Sequence, residues 1–495
     1  MPSPSRFVST GEPRGFPGAA SAAEDPQVLA FEGQHYRRSE LDALTSNLAA
    51  ELHRRGLAPG HRVALMSSNR PEFVVALRAV WHLGAAVVLI SPAWKRAEVA
   101  DALALTGPRH ALGDQPVLAD LMPMVSLDDR VPAASVPPPT VTPDPADEAV
   151  LVFSSGTTGL PKAVRHTPGA FAEAVRHWQR ALDLGPSDRL QIATPPSHIL
   201  GLLNIVTVLE SGGWLRLHRR FDIDALLSHI ESDGITVEMA VAPIALAIAG
   251  HPKLEDHDLS SLRYIMWCAT PVTASVAERV TARSGVNWVT AYGASELPVL
   301  TCNVLTDARL DTVGRAVPGV RLRVVSLETG EPLTAGEVGE IQAQSNSVMS
   351  GYLPAEADAQ AFTDDRWYRT GDVGYLDDQG WLRITDRAKE MIKVRGFQVA
   401  PAEIEAVLHG HPAVQDCAVF GVPHDTDGEA VVAAVTVDPA GAPVSAEELT
   451  ELVRDRLASY KRLHEVVFVP EIPRLPSGKV LRRLLKESHG CTSDR

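Results

Sequence analysis

Short apolar stretches that alternate with helical patterns constrain the fold of this chain most. The stretch AAVVLI at 85–90 has no polar side chain, which is typical of a parallel-sheet strand covered by helices on both faces. Similar strands are predicted at 62–66, 149–153, 190–194, 212–217, 235–241, 262–266 and 287–290, and helices at 37–55, 72–83, 98–105, 169–182, 199–210 and 223–233. Ser39 is the expected N-cap of the first helix. This order predicts an α/β domain of βα-type parallel sheets, whose strands end in ligand-binding loops.

The pattern changes after Thr312. Residues 320–326 and 338–344 alternate apolar and polar side chains around Gly-containing turns, which predicts an antiparallel, barrel-like module. From Arg387 onward, helices at 401–408 and 445–458 and strands at 414–422 and 429–437 predict a smaller α+β unit. A chain of 495 residues is too long for one core. We therefore expect a large domain over 1–386 and a small C-terminal domain over 387–495.

A loop rich in hydroxyl groups follows the strand predicted at 149–153. It comprises Ser154, Ser155, Gly156, Thr157, Thr158 and Gly159, with Lys162 close behind. Backbone N–H groups in such a loop form a concave anion site, and a lysine adds a mobile positive charge. The spacing differs from the G-x-x-x-x-G-K-[ST] phosphate loop, because Pro161 intervenes and the two glycines and the lysine are three residues apart. We predict a polyphosphate-binding loop, with a plain surface turn as the alternative.

Charge and cysteine content limit the partners. The formal net charge is −15, whereas nucleic-acid binding needs clustered Lys and Arg, so no nucleic-acid partner is expected. The small basic cluster of Arg482, Arg483 and Lys486 is interpreted as a solvated helix face. The four cysteines are widely spaced, which argues against a disulfide framework or zinc site and fits the cytoplasm. No apolar run reaches transmembrane length, and residues 1–26 have the composition of a loose lead-in rather than a signal peptide.

Five motifs in a fixed order resemble one superfamily. They are the loop 154–162, Tyr292-Gly293-Ala294-Ser295-Glu296, Tyr368-Arg369-Thr370-Gly371-Asp372, the segment 386–408 and Pro476-Ser477-Gly478-Lys479. Together they resemble the adenylate-forming superfamily of acyl-CoA synthetases, peptide-synthetase adenylation domains and luciferases. The likeness extends from about residue 37 to residue 485. The stretches 241–249 and 396–401 are most similar to coumarate–CoA ligases and their acyl-CoA synthetase relatives.

The resemblance implies a two-step reaction. A carboxylate attacks the α-phosphate of ATP to give an acyl-adenylate and pyrophosphate, and the thiol of coenzyme A then displaces AMP. ATP, Mg²⁺ and coenzyme A are the implied cofactors, and the partner is a small carboxylic acid. The alternative acceptor is the phosphopantetheine thiol of an acyl carrier protein. A luciferase-type oxygenase and a catalytically dead nucleotide-binding or scaffolding protein are further alternatives. Retention of Glu296, Asp372, Arg387 and Lys479 argues against the dead protein.

The resemblance also assigns residues to the site. The implied catalytic residues are Lys479, His198, Glu296 and Thr158, and the implied Mg²⁺ ligands are Glu296 and Thr158. The implied cofactor-binding residues are Ser154, Ser155, Gly156, Thr157, Thr158, Gly159, Lys162, Ala269, Thr270, Tyr292, Gly293, Ala294, Ser295, Asp372, Arg387, Lys393, Gly396 and Gln398.

Several of these residues have specific implied roles. Tyr292 would stack on adenine and Gly293 would leave room for substrate. Asp372 and Arg387 would contact the ribose. His198 would lie beside the α-phosphate and the substrate carboxylate. The plainer alternatives are a surface acid at Glu296 and a polar loop histidine at His198.

The small domain is implied to be mobile. Lys389 aligns with the hinge position of the superfamily, and Gly396 would line the channel for the pantetheine arm. Lys479 would neutralise the anions that meet in the first step, with a solvated lysine as the alternative. Lys393 has the same solvated alternative.

Departures from the superfamily bear on the substrate. Cys268 stands where relatives often have a Gly that borders the acyl pocket. A Thr-His pair usual after the phosphate loop is absent, and this chain has His166-Thr167-Pro168 instead. The position after His198 carries no Asp to pair an amino group. The segments expected to line the pocket, 240–245, 269–270 and 293–294, carry no Lys or Arg, and Glu238 is the nearby charge. We therefore expect an uncharged, largely hydrophobic monocarboxylic acid, and leave a homodimer open as the assembly.

Overall fold

The computed structural model describes residues 25–139, 141–154, 162–268, 274–387, 390–394, 397–424, 428–437, 443–474 and 480–489. Its first fifteen strands are β1 (Gln27–Phe31), β2 (Gln34–Arg37), β3 (Arg62–Met66), β4 (Ala86–Leu89), β5 (His110–Gly113), β6 (Met124–Ser126), β7 (Val150–Ser154), β8 (Lys162–His166), β9 (Arg189–Ile192), β10 (Trp214–Leu217), β11 (Val237–Ala240), β12 (Tyr264–Trp267), β13 (Trp288–Tyr292), β14 (Thr301–Cys302) and β15 (Arg315–Ala316).

Helices cover these strands. They are α1 (Arg38–Arg54), α2 (Pro71–His82), α3 (Arg96–Thr106), α4 (Pro116–Ala119), α5 (Pro168–Leu182), α6 (Ile199–Glu210), α7 (Ile223–Asp233), α8 (Ala242–Gly250) and α9 (Ala274–Ser284). None of the helices in the described part of the chain combines the length and apolar character needed to cross a membrane.

The later elements form the barrel-like module and the C-terminal part, except β18, which joins the sheet that contains β8. They are β16 (Val320–Val325), β17 (Gly339–Ser345), β18 (Gly351–Leu353), β19 (Tyr368–Leu376), β20 (Leu382–Arg387), β21 (Ile392–Val394), β22 (Phe397–Val399), α10 (Pro401–His409), β23 (Val414–His424), β24 (Gly428–Val437), α11 (Ala446–Arg456), β25 (Glu465–Phe468) and α12 (Arg482–His489).

Two largely parallel sheets build the first part of the chain. One runs in the order β15-β14-β13-β12-β11-β9-β10-β1-β2, and the other in the order β18-β8-β7-β4-β3-β5-β6. Their central strands are parallel and fully buried, as the apolar stretches predicted. A third sheet, β16-β17-β19-β20, is antiparallel, and the C-terminal part has a sheet of its own. The predicted α/β architecture with an antiparallel module is confirmed.

The strand pair β8–β18 was not predicted. Strand β8 runs antiparallel to β7, and β18 pairs antiparallel with β8, with Tyr352 opposite Val164. The second parallel sheet therefore carries an antiparallel edge. This edge lies where β7 enters the hydroxyl-rich loop, so it brings residues from 349–353 to the predicted phosphate site.

Two local predictions need correction. Arg37, not Ser39, is the N-cap of α1, because the Ser39 N–H and hydroxyl both donate to the Asp25 carboxylate at 3.0 and 2.6 Å. Arg482 is not part of a solvated face, because its guanidinium pairs with Glu390 and Glu405 at 2.5 and 2.6 Å.

Candidate active site

The hydroxyl-rich loop closes a β-hairpin. Ser154 is the last residue of β7 and pairs in register with Lys162, the first residue of β8. The predicted phosphate-binding residues between them, Ser155, Gly156, Thr157, Thr158 and Gly159, lie outside the described residues. The pairing of β7 with β8 fixes both ends of this loop, so the backbone position of Lys162 is defined by the strand that it begins.

Lys162 and Glu296 meet at one tyrosine. The Lys162 ammonium lies over the Tyr352 ring, with Nζ 5.3 Å from the ring centroid. The Tyr352 hydroxyl donates to Glu296 Oε1 at 2.7 Å, and the Met349 N–H donates to the Glu296 carbonyl at 2.7 Å. Glu296 is 9% exposed. The structure thus holds the candidate metal ligand beside the candidate phosphate-binding lysine.

A second contact joins β13 to β19. The Tyr292 hydroxyl donates to Asp372 Oδ2 at 2.5 Å, and the Asp372 N–H donates to Thr370 Oγ1 at 3.0 Å. Asp372 is buried and lies opposite Arg387 in the β19–β20 register. The two residues assigned to adenine and ribose are therefore in direct contact. Arg387 is the last residue of the neighbouring strand, β20.

Buried Tyr368, at the start of β19, connects the two pairs. It interacts electrostatically with Tyr352, Glu296, Tyr292 and Asp372. Burial raises the pKa of the Tyr368 phenol well above its usual range, and burial also raises the pKa of Tyr352. Both tyrosines therefore stay protonated at neutral pH, and the Tyr352 hydroxyl is the donor to Glu296.

Two hydrogen bonds hold the turn that follows β13. His166 Nε2–H donates to the Ser295 carbonyl at 2.7 Å, and the Ala294 N–H donates to the Leu297 carbonyl at 3.0 Å. A Cβ on Gly293 would lie 2.0 Å from the Pro298 carbonyl oxygen. Gly293 is thus required by the close backbone approach, a reason separate from the predicted room for substrate.

His198 is the N-cap of α6, and its Nδ1 accepts the Leu200 N–H at 3.3 Å. Burial lowers the pKa of His198 to about 4, opposed by the negative charge of Glu296. The ring is therefore neutral at pH 7. Because Nδ1 is an acceptor here, the ring proton resides on Nε2, which is the available donor.

The segment predicted to line the acid pocket is apolar and buried. Ala240, Val241, Ala242, Ile244 and Ala245 are all buried in one core cluster. Cys268 is also buried, and burial raises the pKa of its thiol to about 12. Ala269 and Thr270 lie outside the described residues.

Glu238 adds no charge to this segment at neutral pH. Its side chain is 1% exposed and accepts the Gln191 Nε2–H at 2.7 Å. Burial raises the pKa of Glu238 to about 8, so the carboxyl is mainly protonated.

Among the described residues, Lys393 of the C-terminal part makes none of the contacts that join the other site residues. Lys393 and Gln398 face each other in the β21–β22 register, and the Lys393 side chain is exposed, which favours its solvated alternative. Lys389, Gly396 and Lys479 lie outside the described residues.

Comparison with known proteins identifies the family. The sequence profile of the AMP-binding enzyme family matches residues 17–353, and that of the AMP-binding enzyme C-terminal domain matches residues 403–479. The chain belongs to the AMP-binding enzyme family. The predicted resemblance to adenylate-forming enzymes is confirmed.

The relatives of this AMP-binding enzyme include ligases. It is 34% identical to 4-coumarate–CoA ligase 2 of Oryza sativa subsp. japonica, over 94% of this chain and 90% of the rice protein. ATP-bound MatB from Rhodopseudomonas palustris matches with a TM-score of 0.90 and 26% identity, covering 96% of this chain and 98% of MatB. A third match is o-succinylbenzoate CoA synthetase (MenE) from Bacillus subtilis in complex with the acyl-adenylate intermediate OSB-AMP. Its TM-score is 0.84 and its identity 27%, and the match covers 94% of this chain and 96% of MenE.

Sequence reasoning missed Tyr352 and His166. Tyr368 was noted only as part of a motif. Each of them contacts the motif residues from a distant part of the chain, so the local sequence around it carries no signal of the contact. The one available signal was the position of His166, which was recorded as a departure from the superfamily.

The buried carboxyl of Glu238 makes stability depend on pH. In the unfolded chain the group ionises near 4.5, whereas in the folded chain it ionises near 8. The contribution of Glu238 to stability should therefore fall as the pH rises from 4.5 to 8, with no further fall above that. Glu238→Gln should remove this loss and raise the relative thermal midpoint at pH 9.

Scanning calorimetry from pH 5 to pH 9 checks this. Gln191 bridges Glu238 to His218, and burial lowers the pKa of His218 to about 4, so His218 is neutral across the range. Glu278→Gln, at an exposed site on α9, is the matched control. Equal pH dependence in the parent and Glu238→Gln would contradict the assignment.

Proposed function

We propose that this AMP-binding enzyme is an ATP-dependent acid–thiol ligase. It activates a hydrophobic monocarboxylic acid as acyl-AMP with release of pyrophosphate, and then transfers the acyl group to coenzyme A. The observation that carries the proposal is the convergence of Lys162, Glu296 and Asp372 around Tyr352 and Tyr368. Bound ATP requires a cation for its phosphates, a hard anionic ligand for its metal ion and a carboxylate for its ribose diol.

Glu296 fits a magnesium ligand. Among the described residues, no group of three or more His, Cys, Asp or Glu side chains could form an all-protein metal site. Mg²⁺, however, is commonly held by one or two carboxylates together with substrate phosphates. Glu296, with Thr158 as the second proposed ligand, would hold the ion against the triphosphate. When bound, Mg²⁺ supplies charge neutralisation on the phosphate oxygens.

The adenosine half would be held by β13 and β19. The Tyr292 ring would stack on adenine, and the Asp372 carboxylate would accept hydrogen bonds from the ribose hydroxyls, with Arg387 alongside. The Tyr292–Asp372 contact supports this, because it holds the carboxylate assigned to the ribose beside the ring assigned to adenine. Such positioning is most of the catalysis in phosphoryl-group chemistry.

Neutral His198 suits the reacting carboxylate. Its Nε2–H can donate to a carboxylate or α-phosphate oxygen without itself changing charge. The donor is fixed by the N-cap contact of Nδ1, so it needs no reorganisation during the reaction. His198 would hold the acid in line with the α-phosphate.

The second step would use the C-terminal part. Gly396 would line the thiol channel and Lys389 would be the hinge of a mobile domain over 387–495. The separate family matches, 17–353 and 403–479, support a boundary between them. The named CoA ligases among the relatives favour coenzyme A over a carrier-protein thiol. We also propose a cytoplasmic location, which the free thiols of Cys268, Cys302 and Cys417 support, while a homodimer stays a prediction.

The substrate class is testable by acid-dependent exchange of labelled pyrophosphate into ATP. The apolar segment and the protonated Glu238 make an unpaired second charge costly in the pocket. Exchange should be fastest with an uncharged hydrophobic monocarboxylic acid. A maximum with a dicarboxylate or an α-amino acid would show that the pocket is assigned wrongly.

Lys479→Ala should abolish acyl-adenylate formation. The lysine is proposed to neutralise the carboxylate and the bridging phosphate oxygens in the first step alone, and loss of one such donor costs about 10²–10³ in rate. The variant should still convert pre-made acyl-AMP to thioester. Assaying the two steps separately checks this, with Lys486→Ala, an exposed lysine on α12, as the control. Adenylation at the parental rate would remove Lys479 from the mechanism.

A further inference from the structure

Tyr352 touches two site residues at once and has no role in the reaction as described above. It lies in β18 and is 8% exposed. Its hydroxyl donates to Glu296 Oε1 at 2.7 Å, and its ring lies beneath the Lys162 ammonium at 5.3 Å. A single side chain therefore contacts both the proposed metal ligand and the proposed phosphate-binding cation.

The backbone makes this placement rigid. Tyr352 lies opposite Val164 in the β8–β18 register, two residues from Lys162. Three residues before Tyr352, the Met349 N–H donates to the Glu296 carbonyl at 2.7 Å. The same short segment thus holds Glu296 by its backbone and by its carboxylate, and pairs with the strand that carries Lys162.

The chemistry of the two contacts is complementary. A hydroxyl donated to Oε1 fixes the plane of the carboxylate and leaves Oε2 to face a cation. Mg²⁺ demands near-ideal octahedral geometry, so a fixed carboxylate loses less entropy on binding it. A ring face attracts the ammonium group without consuming a carboxylate oxygen. Lys162 is thereby held beside the loop without neutralising Glu296.

Tyr368 completes the arrangement. It is buried and interacts electrostatically with Tyr352 and Glu296. Tyr368 also begins the strand that carries Asp372, which links this part of the site to the proposed ribose site.

We propose that Tyr352 is a positioning residue that fixes Glu296 and Lys162 together to receive the metal-bound triphosphate of ATP. The identity of that ligand rests on the proposed function. The role divides by atom: the hydroxyl acts through Glu296 on the metal, and the ring acts through Lys162 on the phosphates.

This division gives two distinct variants. Tyr352→Phe keeps the ring and loses the hydroxyl, and Tyr352→Leu loses both. Tyr264→Phe is the matched control, because Tyr264 is also buried and its hydroxyl donates to the Leu182 carbonyl at 2.6 Å, in a contact that involves no site residue.

Calorimetric titration with ATP, in Mg²⁺ and in EDTA, is the first measurement. Loss of a hydrogen bond to a charged group is worth about tenfold in affinity. Tyr352→Phe should bind ATP about tenfold more weakly than the parent in Mg²⁺ and equally in EDTA. Tyr352→Leu should be weaker than the parent in both. Tyr264→Phe should match the parent in both, whatever its thermal midpoint.

The second measurement is the Mg²⁺ concentration that gives half-maximal pyrophosphate exchange. It should rise about tenfold in Tyr352→Phe, and the same substitution should have no further effect on ATP binding in a Glu296→Gln background. A purely structural tyrosine would weaken binding equally with and without Mg²⁺, and that result would overturn the proposal, as would an unchanged Mg²⁺ dependence. If the parent binds Mg·ATP but exchanges pyrophosphate with no acid, the proposed function fails while the calorimetric test of Tyr352 stands.

Discussion

The antiparallel pairing of β8 with β18 is the constraint on which the site depends. It adds an edge to a parallel sheet and sets Tyr352 beside the hairpin that carries Lys162. From there one hydrogen bond reaches Glu296, and buried Tyr368 interacts electrostatically with Glu296, Tyr292 and Asp372. Without this edge, the candidate groups for phosphate, metal and ribose would sit on separate elements with nothing to fix their spacing.

Burial keeps the surroundings of the reacting atoms uncharged. It lowers the pKa of His198 to about 4 and raises the pKa of Glu238 to about 8, so at neutral pH the first is a neutral donor and the second a neutral acid. Both tyrosines remain protonated for the same reason. The fixed charges left in the described site, on Lys162, Glu296 and Asp372, are those that an incoming nucleotide and its metal would pair.

Much of the fold could be predicted from the sequence because its strands are apolar on both faces. Strand β3 and helices α6 and α7 have the predicted bounds. Strand β8 was missed because its sequence, KAVRH, is short and polar at both ends and directly follows the loop. The Ser39 cap and the solvated Arg482 were wrong for a different reason. Their partners, Asp25 for one and Glu390 and Glu405 for the other, are distant in sequence.

The site was predictable where function resides in local motifs. Tyr292, Glu296 and Asp372 were assigned to the site from short sequences, and the structure places Tyr292 in contact with Asp372. The residues that contact them were not predicted, because a contact between two distant segments cannot be inferred from the local sequence of either segment. For the predicted acid pocket, the apolar segment was evident from the sequence. The neutral state of Glu238 was not, because it follows only from the burial of its carboxyl.

The central claim is that a carboxylate oxygen attacks the α-phosphorus of ATP. An acid labelled with ¹⁸O in its carboxylate, incubated with the enzyme, Mg²⁺, ATP and coenzyme A, tests it most directly. Attack at the α-phosphorus followed by thiol displacement leaves one labelled oxygen on AMP, and mass spectrometry of AMP should show it while pyrophosphate stays unlabelled. Label in orthophosphate, or unlabelled AMP formed together with thioester, would contradict the account.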